Sequence, residues 1–183
     1  MLHLACALSQ FSLRHWLTVM LLGFASSAFS APDSEPQVEA AYLVNFMKYI
    51  EWPTNNRTTT TICLFGRDTL GSFLAGYEGR SVGGRELRIR RANSPDDISN
   101  CQLVYIPDVE EARVGVVLRW LQNTPVLAAS NVDGFARAGG GIELVRGTGR
   151  VQFIVNAEAL SRNGLTPSSQ MLRLAQKVIV VER

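Results

Sequence analysis

Short apolar runs alternate along this chain with amphipathic segments, and most of the runs end in a polar turn. Such alternation is typical of an α/β domain in which buried strands and helices form layers. Apolar spacings of three and four residues predict helices, whereas short continuous apolar runs predict buried strands. The predicted helices cover residues 38–51, 69–76, 107–121, 157–162 and 168–178, and the predicted strands cover residues 59–65, 86–91, 101–106, 126–129, 142–145 and 150–155.

The strand order along the chain predicts a mostly parallel sheet flanked by helices, with an antiparallel hairpin near the C-terminus. The chain has 183 residues, of which 46% are hydrophobic and 19% charged, an ordinary globular balance. We therefore expect one domain over residues 38–183. Residues 31–37 are polar and contain Pro32 and Pro36, which predicts a short flexible leader.

The N-terminus has the pattern of a secretory signal peptide. Residues 16–29 are apolar, Arg14 and His15 precede them, and Ala28-Phe29-Ser30 ends the segment with small residues at the usual spacing. We expect residues 1–30 to be removed before Ala31, which places the protein in the periplasm. A membrane anchor is the alternative, but the charged upstream flank leaves too short a run to span a bilayer.

Cleavage removes most of the chemistry that an enzyme would use. Both histidines, His3 and His15, lie in residues 1–30, and so does Cys6. Cys63 and Cys101 remain, and two cysteines in an exported protein favour one disulfide, with two separate buried thiols as the alternative. Two cysteines without histidine are too few for a zinc site or a catalytic pair. We expect no metal, no cofactor and no enzymatic activity.

Charge and glycine patterns exclude two further classes. The chain carries 18 Lys and Arg against 16 Asp and Glu, and the arginines of residues 85–91 lack interleaved aromatic residues, so nucleic acid is not an expected partner. Gly66 and Gly71 have the spacing of a phosphate loop, but Ser72-Phe73 replaces the Lys-Ser/Thr pair. Arg67 with backbone N–H groups can still hold a small anion; alternatively, Asp68 simply caps the helix.

The order of the segments resembles the YfiR family. The similar segments cover nearly all of the chain after residue 39: AAYLVNF (40–46), EWP (51–53), ICLFG (62–66), LG (70–71), VGGR (82–85) with Leu87, CQLVYI (101–106), TPVL (124–127), GFARAGG (134–140), RVQFIVN (150–156), GL (164–165) and SSQML (168–172). The resemblance implies a small periplasmic repressor that binds the sensor domain of an inner-membrane diguanylate cyclase and lowers cyclic-di-GMP. It also implies that an outer-membrane lipoprotein sequesters the repressor.

The cysteine pattern of that family is only partly present. Its first cysteine pair falls on Cys63 and Cys101, in agreement with the disulfide. Well-known members have a second pair, and Ala136 and Glu143 occupy those places here. Redox control through a second disulfide is therefore not expected, and a different membrane partner, such as a sensor kinase, stays open.

The candidate binding regions are the loop tips at residues 66–69 and 131–138. Both are expected near the C-terminal ends of parallel strands, where α/β folds usually bind ligands. The apolar side of the first helix is a third surface, and ordinary packing or capping is the alternative for each. Such surfaces are sufficient for the first expected function, a repressor that binds a membrane enzyme. The alternative function is a small-ligand binding protein that binds an amino acid or nucleotide and signals to a membrane sensor kinase. A homodimer is also open. The candidate residues are Gly66, Arg67, Asp68, Ser130, Asn131, Phe135 and Arg137.

Overall fold

The computed structural model describes residues 34–53, 57–67, 69–147 and 150–180. The predicted signal peptide, its cleavage site and Asp68 lie outside these residues. Within the described ranges, every helix is too short or too polar to cross a membrane.

Helices and strands alternate along most of the described chain. The helices are α1 (Glu35–Tyr49), α2 (Gly71–Leu74), α3 (Pro95–Ile98), α4 (Val114–Trp120), α5 (Ala157–Arg162) and α6 (Ser169–Leu174), with 3-10 turns at Ala75–Tyr77 and Asp108–Arg113. The strands are β1 (Ile50–Glu51), β2 (Thr59–Phe65), β3 (Ser81–Val82), β4 (Arg85–Ala92), β5 (Leu103–Ile106), β6 (Leu127–Ser130), β7 (Ile142–Gly147), β8 (Arg150–Asn156), β9 (Thr166–Pro167) and β10 (Lys177–Ile179).

Eight of the strands form one sheet in the order β10-β8-β7-β6-β5-β2-β4-β3. The pairs β7–β8 and β3–β4 are antiparallel, and the remaining pairs are parallel. This architecture confirms the predicted α/β domain with a mostly parallel sheet and a hairpin near the C-terminus. A separate two-stranded antiparallel sheet joins β1 to β9; each of its strands has two residues, too few for a sequence pattern to indicate.

Helices cover both faces of the sheet, as the alternation of side chains along β2 illustrates. Ile62 and Leu64 belong to a buried cluster with α1, whereas Cys63 and Phe65 belong to a second cluster with α4. The apolar side of α1, which the sequence offered as an exposed binding surface, is packed into the first cluster. It is therefore part of the core.

The first helix begins earlier than predicted. It starts at Glu35, with Ser34 at the N-cap and Pro36 in the first turn, where a proline loses no helical hydrogen bond. Residues 35–37, predicted as part of the flexible leader, thus belong to α1.

The last helix ends earlier than predicted. Apolar spacing continued it to Val178, but α6 ends at Leu174, whose side chain is 66% exposed. The backbone N–H of Gln176 donates to the carbonyl of Phe153 at 2.8 Å, and Lys177–Ile179 then pairs with β8 as a parallel edge strand. Val178 and Ile179 are β-branched, which favours the strand over the helix.

Candidate functional site

Three segments meet at the edge of the sheet where β2, β5 and β6 end. The strands are neighbours and parallel, so the segments that follow them emerge side by side. The backbone N–H of Arg67 donates to the Glu110 carboxylate at 3.0 Å, and that of Asp108 donates to the Asn131 side chain at 2.8 Å. The Asp108–Arg113 turn thereby links the two loops that the sequence singled out. We call this region the C-terminal edge.

A buried carboxylate lies beneath the C-terminal edge. Glu39 on α1 is only 2% exposed. Its oxygens accept hydrogen bonds from the Tyr105 hydroxyl at 3.0 Å and from the Asn131 side-chain nitrogen at 3.4 and 3.5 Å. Nε of Arg146 lies 3.6 Å from the same carboxylate. Three elements or their ends, namely β5, the end of β6 and β7, therefore contact one side chain of α1.

Arg146 connects this carboxylate to the surface. Its guanidinium also pairs with Glu35, and one of its terminal nitrogens lies 3.3 Å from the carboxylate of Asp108. The pKa of Arg146 is lowered by partial burial but raised more strongly by Glu39 and the two other carboxylates, so the net direction is upward. Three carboxylates thus surround one cation.

The electrostatics of the buried pair follow from desolvation. Burial raises the pKa of the Glu39 carboxyl above its ordinary 4.5, although Tyr105, Arg146 and Asn131 act in the opposite direction. Burial and the adjacent Glu39 carboxylate also raise the pKa of Tyr105, whose phenol stays protonated and donates. The side chain of Glu39 is 3% exposed, so it does not reach a solvent-borne substrate. The arrangement fits positioning of α1 and the edge loops rather than turnover.

The candidate residues divide into exposed and buried sets. Arg67 and Arg137 are exposed, and Gly66 forms a turn at φ +67°. Ser130 and Asn131 are buried: the Ser130 hydroxyl donates to the carbonyl of Ile106 at 2.6 Å and accepts from the backbone N–H of Val132 at 3.0 Å.

Phe135 belongs to the core beneath the 131–141 turn. It is 1% exposed, and its ring lies so close to Gly140 that an added Cβ there would be 2.0 Å from it. Of the two candidate residues in this turn, Arg137 is exposed and Phe135 is buried. Of the sequence-based set, Arg67 and Arg137 are thus exposed on the loops that follow β2 and β6. The buried members are Ser130, Asn131 and Phe135.

The disulfide between Cys63 and Cys101 is present. The two Cα atoms are 5.9 Å apart, a usual separation for a disulfide. The bond joins Cys63 in β2 to Cys101, which lies two residues before β5. Both cysteines are buried in the second core cluster. The bond therefore links two of the three strands that end at the C-terminal edge.

Comparison with known proteins identifies a family and two similar folds. A family model described as YfiR/HmsC-like matches residues 36–176. An ABC domain from Streptococcus pneumoniae, solved in complex with L-Trp, has a TM-score of 0.53 at 11% identity and covers 76% of this chain. A conserved domain protein from Vibrio cholerae has a TM-score of 0.52 at 11% identity and covers 80% of this chain. This chain spans 60% of each of those two chains, and at such identity the likeness concerns the fold alone.

Proposed function

The chain belongs to the YfiR/HmsC-like family of periplasmic regulators of cyclic-di-GMP signalling, and we propose that it binds and represses the sensor domain of an inner-membrane diguanylate cyclase. A repressor of this kind needs no catalytic group. It needs a surface whose affinity differs between the active and inactive states of its partner.

The observation that carries the proposal is that hydrogen bonds join the loops of the C-terminal edge. Arg67 and Arg137 stand exposed on loops held by Glu110 and by the Glu143 carboxylate, which accepts from the 134 and 136 backbone N–H groups. Loops that are fixed before contact lose little conformational freedom on binding. The two guanidinium groups suit an acidic patch on the cyclase, because arginine pairs well with carboxylates.

The remaining parts of the proposal concern location and partners. Residues 1–30 direct export and are removed before Ala31, which delivers the mature protein to the periplasm. An outer-membrane lipoprotein sequesters the protein and thereby relieves repression. A homodimer is compatible with this scheme.

Intracellular cyclic-di-GMP tests the proposal. We expect it to rise in a deletion strain and to return to the parental level when the wild-type protein is restored. A variant with Arg67→Gln and Arg137→Gln restores it incompletely, whereas the control Arg173→Gln, an exposed arginine on α6, restores it fully. Each variant is quantified in the periplasmic fraction. No rise in the deletion strain, under conditions in which the protein is expressed, contradicts repression of a cyclase.

A second candidate function is a small-ligand binding protein that feeds a membrane sensor kinase. It is favoured by the fold shared with a domain that was solved in complex with L-Trp. Arg67 and the loop that begins at Ser130 would frame the ligand. A thermal-shift screen of amino acids and nucleotides checks this function, because a ligand that prefers the folded state raises the melting temperature. Loss of the shift in the variant with Arg67→Gln would place the ligand at the C-terminal edge.

A further inference from the structure

A groove opens at the opposite edge of the sheet from the three segments described above. Gln102 and Val126, which line it, immediately precede β5 and β6, so the groove lies where these strands begin. Its volume is about 370 Å³, within the range of small-molecule sites in proteins. Nothing in the proposed function uses it. We call it the tryptophan groove.

Rings form much of its wall. The indoles of Trp52 and Trp120 line the groove together with the prolines at positions 53, 95 and 125. The Trp120 ring is held by an edge contact with Phe65, at a centroid distance of 6.3 Å. Flat, rigid walls of this kind suit a ring, since stacking contacts need little ordering of either partner.

One polar atom in this wall lacks a hydrogen-bond partner. Nε1 of Trp52 is buried and pairs with no acceptor. Among the described residues, it is the one buried side-chain nitrogen or oxygen without a hydrogen-bond partner. Burying an unpaired donor costs free energy, so such an atom calls for an explanation. Because Trp52 lines the groove, an acceptor oxygen on a bound ligand would be a partner for this donor.

The charge of the lining determines the sign of the ligand. Arg57 is a lining residue, and the described residues that line the groove include no Asp or Glu. The Ser99 and Thr124 hydroxyls already donate to backbone carbonyls, at 2.8 Å each. The Arg57 guanidinium has five N–H donors, so it can receive a carboxylate and keep another contact. An ammonium group would find no carboxylate partner here.

We propose that the tryptophan groove binds a ring-bearing monocarboxylate, with the carboxylate at Arg57 and the ring between Trp52 and Trp120. The lack of an acid in the lining sets this ligand apart from a zwitterionic amino acid. The site is independent of the repressor function and lies at the edge of the sheet opposite to Arg67, which follows β2.

The chain supplies its own reporter for this site. Its three tryptophans are Trp16, Trp52 and Trp120, and in protein that begins at Ala31 the two that remain both line the groove. We therefore test the proposal by titrating that protein with 3-phenylpropionate, which does not absorb where indole is excited, and following tryptophan fluorescence and the melting temperature. We expect a saturable fluorescence change and a rise in melting temperature, and neither with the uncharged 3-phenylpropanol at the same concentrations.

Variants test the roles of the guanidinium and of the indole in this site. We expect Arg57→Gln to weaken binding about tenfold, because a charge-assisted hydrogen bond is lost, and Trp52→Phe to weaken it several-fold. The control Arg173→Gln, an exposed arginine on α6 that does not line the groove, binds as the wild type does. Three results would each overturn the proposal: no saturable change in fluorescence or melting temperature, equal affinity in the Arg57→Gln variant, or loss of binding in the control.

Discussion

The backbone N–H of Ala136 donates to the carboxylate of Glu143 at 2.9 Å, and the N–H of Gly134 donates to the second oxygen of the same carboxylate at 3.0 Å. The side chain of Asn156 completes the support by donating to the carbonyl of Ala136 at 2.7 Å. Positions 136 and 143 are those at which the resemblance to the YfiR family implies a second cysteine pair. In this chain, hydrogen bonds hold the turn at these positions, so we expect a reductant to leave it in place.

Removing that carboxylate tests its role. Glu143→Ala leaves two backbone N–H groups without their acceptor, and we expect the free energy of unfolding to fall by about 1–3 kcal/mol. Glu143→Gln keeps one acceptor oxygen, so we expect its free energy of unfolding to fall by less. Urea denaturation measures both, with Glu111→Ala as an exposed control for loss of a carboxylate. A Glu143→Ala variant as stable as the wild type contradicts the role of the side chain.

The disulfide between Cys63 and Cys101 is expected to stabilise the folded protein by restricting the unfolded chain. Cys63→Ser should lower the free energy of unfolding by about 2–4 kcal/mol under oxidising conditions. In the presence of a reductant, the wild type and the variant should be much closer in stability. Equal losses in both redox states would show that the serine perturbs packing instead, since Cys63 is buried in the second core cluster.

Export makes a prediction about the mature N-terminus. The small residues at positions 28 and 30 predict cleavage before Ala31. Mass spectrometry of protein recovered from the periplasm should therefore give a chain that begins at or near Ala31. Recovery of a chain with Met1 intact would contradict the export proposal, and a variant with Ala28→Arg, which blocks the cleavage site, is the control for an uncleaved product.

Strands and helices were predictable where one local property dominated. Residues 59–65 were predicted with the bounds of β2, because this strand is a continuous apolar and β-branched run, and 157–162 with those of α5, which the Asn156 side chain caps. Residues 177 and 178 were predicted as the end of the last helix, because apolar spacing there fits a helix as well as a strand. Their pairing with β8 decides between helix and strand, and pairing between distant segments leaves no local pattern.

The candidate site was predictable in place but not in chemistry. The order of parallel strands indicates that loops after β2 and β6 share an edge. The sequence-based candidates do not include Glu39, although it lies four residues before Leu43 and eight before Met47, both of which are buried. A charged residue on the buried side of a helix is the pattern that would have revealed it. Its partner Tyr105 is 66 residues away, a contact that only the fold creates.

Glu39 should make stability depend on pH. Its pKa is raised above the ordinary 4.5 chiefly by burial, so the folded state holds a proton more tightly than the unfolded state. The stability gained in this way is complete below pH 4.5 and is lost as the pH rises through the raised pKa. Glu39→Gln stays neutral, so its free energy of unfolding should gain on that of the wild type as the pH rises through this range.

Asp97 provides a control of opposite sign for that titration. Backbone and side-chain donors at Asn93 and Ser94 lower the pKa of Asp97 below 3.8, so its contribution is lost as the pH falls. The difference between wild type and Asp97→Asn should therefore shrink under acid. A pH-independent difference between wild type and Glu39→Gln would contradict the assignment of Glu39.

Gly66 should be the glycine on which the link between the edge loops depends. It has φ +67°, and an added Cβ would lie 2.5 Å from the carboxyl carbon of Glu110, the residue that accepts from the backbone N–H of Arg67. Gly66→Ala strains the backbone and displaces this carboxylate, so we expect the free energy of unfolding to fall by about 1–3 kcal/mol. Gly76→Ala is the matched control, because nothing lies within 4 Å of its added Cβ. Urea denaturation gives the stabilities, and hydrogen exchange at the amide of residue 67 reports the link itself. Unchanged exchange in the Gly66→Ala variant would show that Glu110 does not hold the loop.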